Sequence, residues 1–173
     1  MSFLDRLLGK PDPRRAIAIN LAESIMSAAR RPELYLSDLA RDDFDGRFLM
    51  VAFHGALVMR RLKTLGGEAL IVSEKLGETL FDRFDYAYRE EGVGDASIAR
   101  KVRKLGERYF GLARALDAAL DSDDEEVANV LTRNGLGEGN TTALVKLARE
   151  TDNHLQALSE QKVFSASLTW PTV

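Results

Sequence analysis

The chain has 173 residues, 45% of them hydrophobic and 29% charged, with a formal net charge of −3 and no cysteine. That length suits one globular domain with a core of its own, and the small net charge gives no global attraction to nucleic acid or anionic membrane. The lack of cysteine excludes disulfides, thiolate nucleophiles and zinc sites built on sulfur, which fits a reducing compartment.

In chain order, Phe3, Leu4, Leu7 and Leu8 are broken by Asp5 and Arg6, so the continuous apolar run of a signal peptide is missing. Ser2 and Asp5 can cap a short helical turn that Gly9 stops, too short to stand alone in water. It is expected to dock on the body or fray, with a weak membrane-surface or partner contact as the alternative. Asp12-Pro13 then supplies an N-cap and a first-turn proline, and Ile17, Leu21, Ile25 and Ala28 recur at helical spacing until Arg31-Pro32. Residues 32–41 read as irregular.

The stretch Phe48 to Met59 is apolar or Gly at every position except His54. A helix greasy on all sides must be wrapped by others, and it is shorter than the roughly 20 apolar residues that cross a bilayer. Asp42 or Asp43 can open this helix, and Gly66-Gly67 ends it. Gly55 in its middle suggests that another helix backbone passes close by. The next helix, Glu68 to about Glu91, carries Ala69, Val72, Leu76, Leu80, Phe84 and Tyr88 on one stripe, with Phe81 beside it and acids on the outer face.

Gly92-Val93-Gly94-Asp95 predicts a tight reversal. The helix that follows, about Ile98 to Leu120, has an inner seam of Ile98, Val102, Leu105, Tyr109, Leu112, Leu116 and Leu120, and an outer face of Arg100, Lys101, Arg103, Lys104, Arg108 and Arg114. Ser122 and Glu125 form a capping box for a short helix to Arg133; Gly135, Gly137 and Gly139 make a loop. A last helix starts near Thr142, and the tail from Val163, with Phe164, Leu168, Trp170 and Pro171, has extended chemistry. The expected fold is an all-α single domain spanning 1–173. It has a short arm at 1–12, a bundle of about six helices at 13–160 around one fully apolar central helix at about 42–65, and an extended tail at 161–173.

Tests for chemistry return little. His54 and His154 are the only histidines, and no Glu-x-x-His pair or zincin spacing can be assembled. His54 is expected to be a buried imidazole bonded to a backbone carbonyl, with haem ligation as its sharpest alternative. Asp121 to Glu126 begins like a calcium loop, but Glu126 stands where glycine is demanded and Thr132 where a bidentate glutamate should be. Glu78, Asp82 and Asp85 read as a solvated face. No catalytic, cofactor or metal residue is expected. The basic face of 100–114 is either a solvated helix, partly neutralised by Asp85, Glu90 and Glu91, or a patch that meets phosphate of ribosomal RNA or anionic headgroups in a salt-sensitive way.

Phe44-Asp-Gly-Arg-Phe48, the run ending Arg60-Arg61-Leu62-Lys63, Phe84-Asp85, Arg89-Glu-Glu-Gly-Val-Gly-Asp95 and Tyr109-Phe-Gly111 resemble the ubiquinol–cytochrome c chaperone domain family. These are assembly factors of the respiratory cytochrome bc complex in mitochondria and alphaproteobacteria. The resemblance implies a non-enzymatic helical protein that binds newly made cytochrome b near ribosome or membrane, in mitochondria with a small helper subunit. With no mitochondrial-type leader, a bacterial cytoplasmic member is expected, peripheral at the inner face of the membrane. On this reading a groove beside the central helix holds apolar client segments, and Arg89, Asp95, Arg100, Lys101, Arg103, Lys104 and Arg108 make partner contacts or fix the reversal. A haem- or cofactor-carrying helical protein, or a plain oligomerisation module using the tail, are the competing readings.

Overall fold

The computed structural model describes residues 12–90, 95–165 and 168–173. Their regular structure is helical: α1 (Pro13–Ala29), α2 (Pro32–Leu36), α3 (Phe44–Leu65), α4 (Glu68–Glu90), α5 (Asp95–Ala119), α6 (Asp124–Arg133), α7 (Thr141–Ala157) and α8 (Glu160–Phe164). The chain is an all-α single domain whose one core joins residues from Ala18 to Leu168. Residues 1–11 of the arm, and Gly92, Val93 and Gly94 of the expected reversal, lie outside the described residues; Asp95 opens α5.

Every residue from Phe48 to Val58 is buried, His54 and Gly55 included. α1, α4, α5 and α7 pack on α3, and α6 packs on α5 and α7. Each large side chain enclosed there contributes about 1.5–3 kcal/mol. Cover thins at Met59, which is only partly buried. The seams foreseen on α4 and α5 are inward from Ala69 to Phe84 and at Ile98, Leu105, Tyr109, Leu112 and Leu116. Val102 and Tyr88 are half-buried instead.

Capping follows local chemistry. Asp12 accepts from Arg14 N at 3.0 Å ahead of Pro13, and Asp43 accepts from Gly46 N at 2.8 Å. The cap of α6 is Asp123, not Ser122: the Asp123 carboxylate accepts from Glu126 N at 2.9 Å, while the Ser122 carbonyl accepts from Arg149. Pro32 does more than stop α1. It opens α2 inside a stretch expected to be irregular, where Leu34 is buried and Tyr35 donates its hydroxyl to the Ala29 carbonyl at 2.5 Å. Likewise Val163 and Phe164 belong to α8, capped by Ser159, and among the described tail residues 168–173 are non-helical.

No helix backbone is what crowds Gly55. A Cβ built there would come 2.5 Å from the hydroxyl of Tyr109, which donates to Met59 Sδ at 3.3 Å. α5 thus presents a phenol to α3, and glycine makes the notch that admits it.

Candidate functional site

At its C-terminal end, α3 is fastened by ions. Arg60 reaches Asp117 at 2.7 Å, Asp121 at 2.5 Å and Asp152 at 3.2 Å, tying α3 to α5 and α7, while Lys63 meets Asp117 at 2.7 Å. Hydrogen bonding to Asp121 raises the pKa of Arg60 despite partial burial. Burial pushes the Asp117 carboxyl upward, but Lys63 and Arg60 outweigh it and hold the group below its ordinary value. Next along, Arg61 donates to the Leu158 carbonyl at 2.5 Å.

Beside this cluster a groove of about 1000 Å³ opens between α3, α4 and α5. Its floor is apolar, with Met59 from α3 and Phe81 from α4 set beside the small residues Ala56, Gly77 and Ala113. A Cβ at Gly77 would meet only Met59 Cε, at 3.6 Å. Leu70 and Phe110 stand at the rim, 48% and 53% exposed. The α4 wall carries Glu74, Glu78 and Asp82, the opposite side Lys63 and Arg114, and Arg60 with Asp117 reaches the same space. Charge therefore changes sign across the groove. Water-facing apolar surface rimmed by charge is what a surface that accepts an apolar partner presents.

The basic face lies on α5, where Arg100, Lys101, Arg103, Lys104, Arg108 and Arg114 are all exposed. It is not uniform. Arg108 is partly spent on the fold, pairing with Asp45 at 3.0 Å and lying 5.2 Å over the Phe48 ring. Lys101 sits 5.3 Å over the Tyr88 ring, and Arg103 is 3.8 Å from Glu107. Arg89 of α4 pairs with Asp85 of its own helix at 2.7 Å. Asp85 accepts from Arg89 and Glu90 from the Tyr86 hydroxyl, while Glu91 lies outside the described residues. Sequence reasoning missed Gly77, Phe110 and Arg114 as groove residues. The available signal was Phe110, one residue off the Tyr109 seam and so directed outward.

His54 is fully buried, its Nδ1 2.8 Å from the Met50 carbonyl. Burial drives its pKa down to about 4, against the opposing Met50 hydrogen bond and with some help from Arg31. The rings of Phe53 and Trp170 pack edge-on at 5.1 and 5.0 Å. The tail that brings Trp170 there is docked on its own chain. Trp170 Nε1 donates to Ser24 Oγ at 3.1 Å, and Arg31 donates to the Pro171 carbonyl at 2.7 Å. Among the described residues no group of three His, Asp or Glu could hold a metal ion, and no helix is long and apolar enough to cross a membrane.

The family model described as ubiquinol-cytochrome C chaperone matches residues 40–170. The chain belongs to that family. The stretch runs from the entry of α3 to Trp170, so it takes in the whole groove and the strap over His54. Among curated proteins none matches in sequence. A solved structure, the Cbp3 homologue from Brucella abortus, shares the fold at a TM-score of 0.82 and 24% identity, over 99% of this chain and 97% of that one. Two of the motifs that resemble the chaperone family, Phe44 to Phe48 and Phe84-Asp85, meet at one junction. Phe44 packs on Tyr88 at 5.0 Å, Phe48 on Phe84 at 5.1 Å, and a Cβ at Gly46 would collide with the Arg41 carbonyl. In this member of the ubiquinol-cytochrome C chaperone family those residues fix where the first turns of α3 meet the last turns of α4.

Proposed function

We propose that this chain is a non-enzymatic assembly chaperone for the cytochrome bc complex, and that the α3–α4–α5 groove holds an apolar helical segment of newly made cytochrome b. The observation that carries the reading is the groove itself. Met59, Phe81 and Ala113 are only partly covered above buried Ala56 and Gly77, and exposed Leu70 and Phe110 stand at the rim, so apolar surface from three helices faces one open groove. The small residues Ala56, Gly77 and Ala113 let a helix backbone come close, Met59 and Phe81 supply apolar contact, and the charged rim keeps the empty groove soluble. The cations of α5 hold the chaperone near a phosphate-bearing surface, at the ribosome or the cytoplasmic face of the membrane, through charge neutralisation without sequence preference.

Binding of peptides spanning the apolar helices of cytochrome b to purified chain tests this. Gly77→Leu, which fills the floor beside Met59, is expected to weaken binding about tenfold, or about 1.4 kcal/mol, while thermal unfolding stays put. Unchanged affinity in a folded Gly77→Leu variant would sink the reading.

A further inference from the structure

From Leu70 to Asp82, α4 lines the groove over about 18 Å, at 1.5 Å per residue. Its residues there fall in two parallel rows. Ser73, Gly77 and Phe81, buried or half-buried, form the inner row, and Glu74, Glu78 and Asp82, all exposed, form the outer one. The three carboxylates recur every fourth residue, about 6 Å apart along the helix. Nearby cations are engaged elsewhere. Lys75 turns to Asp12 at 3.2 Å and Arg83 to Glu23, while Lys63 across the groove meets Asp117 at 2.7 Å. Among the described residues Glu74, Glu78 and Asp82 have no ion-pair partner.

That row decides which apolar helices the groove takes. An uncharged one would strip water from three carboxylates and give them no partner in return. A helix with Lys or Arg at every fourth position of one flank lays the aliphatic stems along the apolar rim and sets the charges against α4. The wall accommodates about 12 residues, fewer than the roughly 20 that cross a bilayer, so the seated segment is shorter than a membrane span. A second copy of the chain is a poorer occupant. Its exposed Arg100, Lys104 and Arg108 repeat at the same spacing, but Lys101, Arg103 and Glu107 between them are also exposed and charged, and nothing there would fill the floor.

We infer that the groove selects an amphipathic helical segment of a client polypeptide, about three turns long, with an apolar stripe on the floor and cations at i, i+4 and i+8 facing Glu74, Glu78 and Asp82. The charge pattern stands on the geometry above; that the client is cytochrome b rests on the function proposed for the groove. The floor supplies affinity for any apolar helix, and the acidic row discriminates among them. One exposed pair contributes little, but three together amount to about tenfold, and salt diminishes the gain.

Three synthetic helical peptides that share one apolar stripe and carry Lys, Gln or Glu at i, i+4 and i+8 of one flank test this, by fluorescence anisotropy with the full chain. At low salt the Lys peptide is expected to bind about tenfold tighter than the Gln peptide, and the Glu peptide more weakly than either. Glu74→Lys with Glu78→Lys and Asp82→Lys is expected to reverse that order. Where this variant fails to fold, Glu74→Gln with Glu78→Gln and Asp82→Asn is expected to level it. Gly77→Leu is expected to weaken the Lys peptide about tenfold. Equal binding of the Lys and Gln peptides by the parent, a Lys preference that survives neutralisation of the row, or Lys-peptide binding untouched by Gly77→Leu overturns the inference. So does a dimer, seen by light scattering, that the Lys peptide dissociates, since the groove then belongs to a second copy. Cytochrome b peptides that bind regardless of their cations leave the proposed function standing and sink this inference; the expected order among synthetic peptides, with no binding of cytochrome b peptides, does the reverse.

Discussion

The two flanks of α3 are built from the same apolar run and finished in opposite ways. Toward α1 and α7, His54 is capped by the Trp170 ring, and the tail is pinned by Ser24 and Arg31. Toward α4 and α5, cover stops at Met59, and Gly77 and Ala113 leave space where larger side chains would have closed the wall. An unbroken hydrophobic stretch therefore does not say how much of itself is core. Small neighbours on adjacent helices leave one of its sides as the floor of a groove.

Substitutions on each side sharpen this contrast. The largest expected effect is at the ionic fastening. Arg60→Met leaves Asp152 partly buried without its cation and Asp117 with Lys63 alone, and is expected to cost about 3 kcal/mol, a drop in Tm of about 10 °C by thermal unfolding. A loss under about 1 kcal/mol would show that the cluster is surface decoration.

On the sealed flank the probe is pH. The folded pKa of His54, about 4, lies below its ordinary 6.5, so the unfolded chain binds the proton more readily. The group's stabilising contribution is then whole above about pH 6.5 and is lost as pH falls toward 4, up to about 3 kcal/mol across that window. Urea titrations of the parent and His54→Leu between pH 7 and 5 isolate it, because the carboxylates titrate mostly below that range. The variant's curve is expected to be flatter, and parallel curves would mean that His54 is open to water.

Where α5 meets α3, Gly55→Ala pushes a methyl into the Tyr109 hydroxyl and is expected to cost about 2 kcal/mol. Tyr109→Phe in the same chain should recover part of it, a coupling that a double-mutant cycle reads directly. The smallest effect on stability belongs to the outer face of α5. Lys101→Glu with Lys104→Glu should change unfolding by no more than about 0.5 kcal/mol, yet abolish salt-sensitive co-sedimentation with ribosomes or anionic vesicles. Unchanged sedimentation would remove that face from the functional account.

Much of the architecture was legible because it depends on periodicity and punctuation. The 3.6-residue stripes of α4 and α5, the Asp12-Pro13 start and the Gly66-Gly67 stop are local signals, and the helices follow them. What failed to show depends on partners far along the chain. Gly55 announced a close approach, but only the fold reveals that a phenol 54 positions later makes it. Arg60 looked like a charge ending an apolar run, and nothing local tells that Asp117, Asp121 and Asp152 converge on it. Ser122 and Asp123 both carry a side-chain oxygen able to cap, and the helix starts one residue later than the capping box implies, with the Asp123 carboxylate accepting from Glu126 N. For the candidate site, the exposed cations of α5 could be read from sequence, whereas the groove floor is assembled from three helices and has no linear signature.

The strap over His54 also gives the molecule a built-in optical gauge. Its single tryptophan is Trp170, set against an imidazole on the closed side. Emission intensity and wavelength therefore follow detachment of the last residues and stay blind to what enters the opposite groove. A ligand that alters that emission has loosened the tail, and one that binds silently has used the other side.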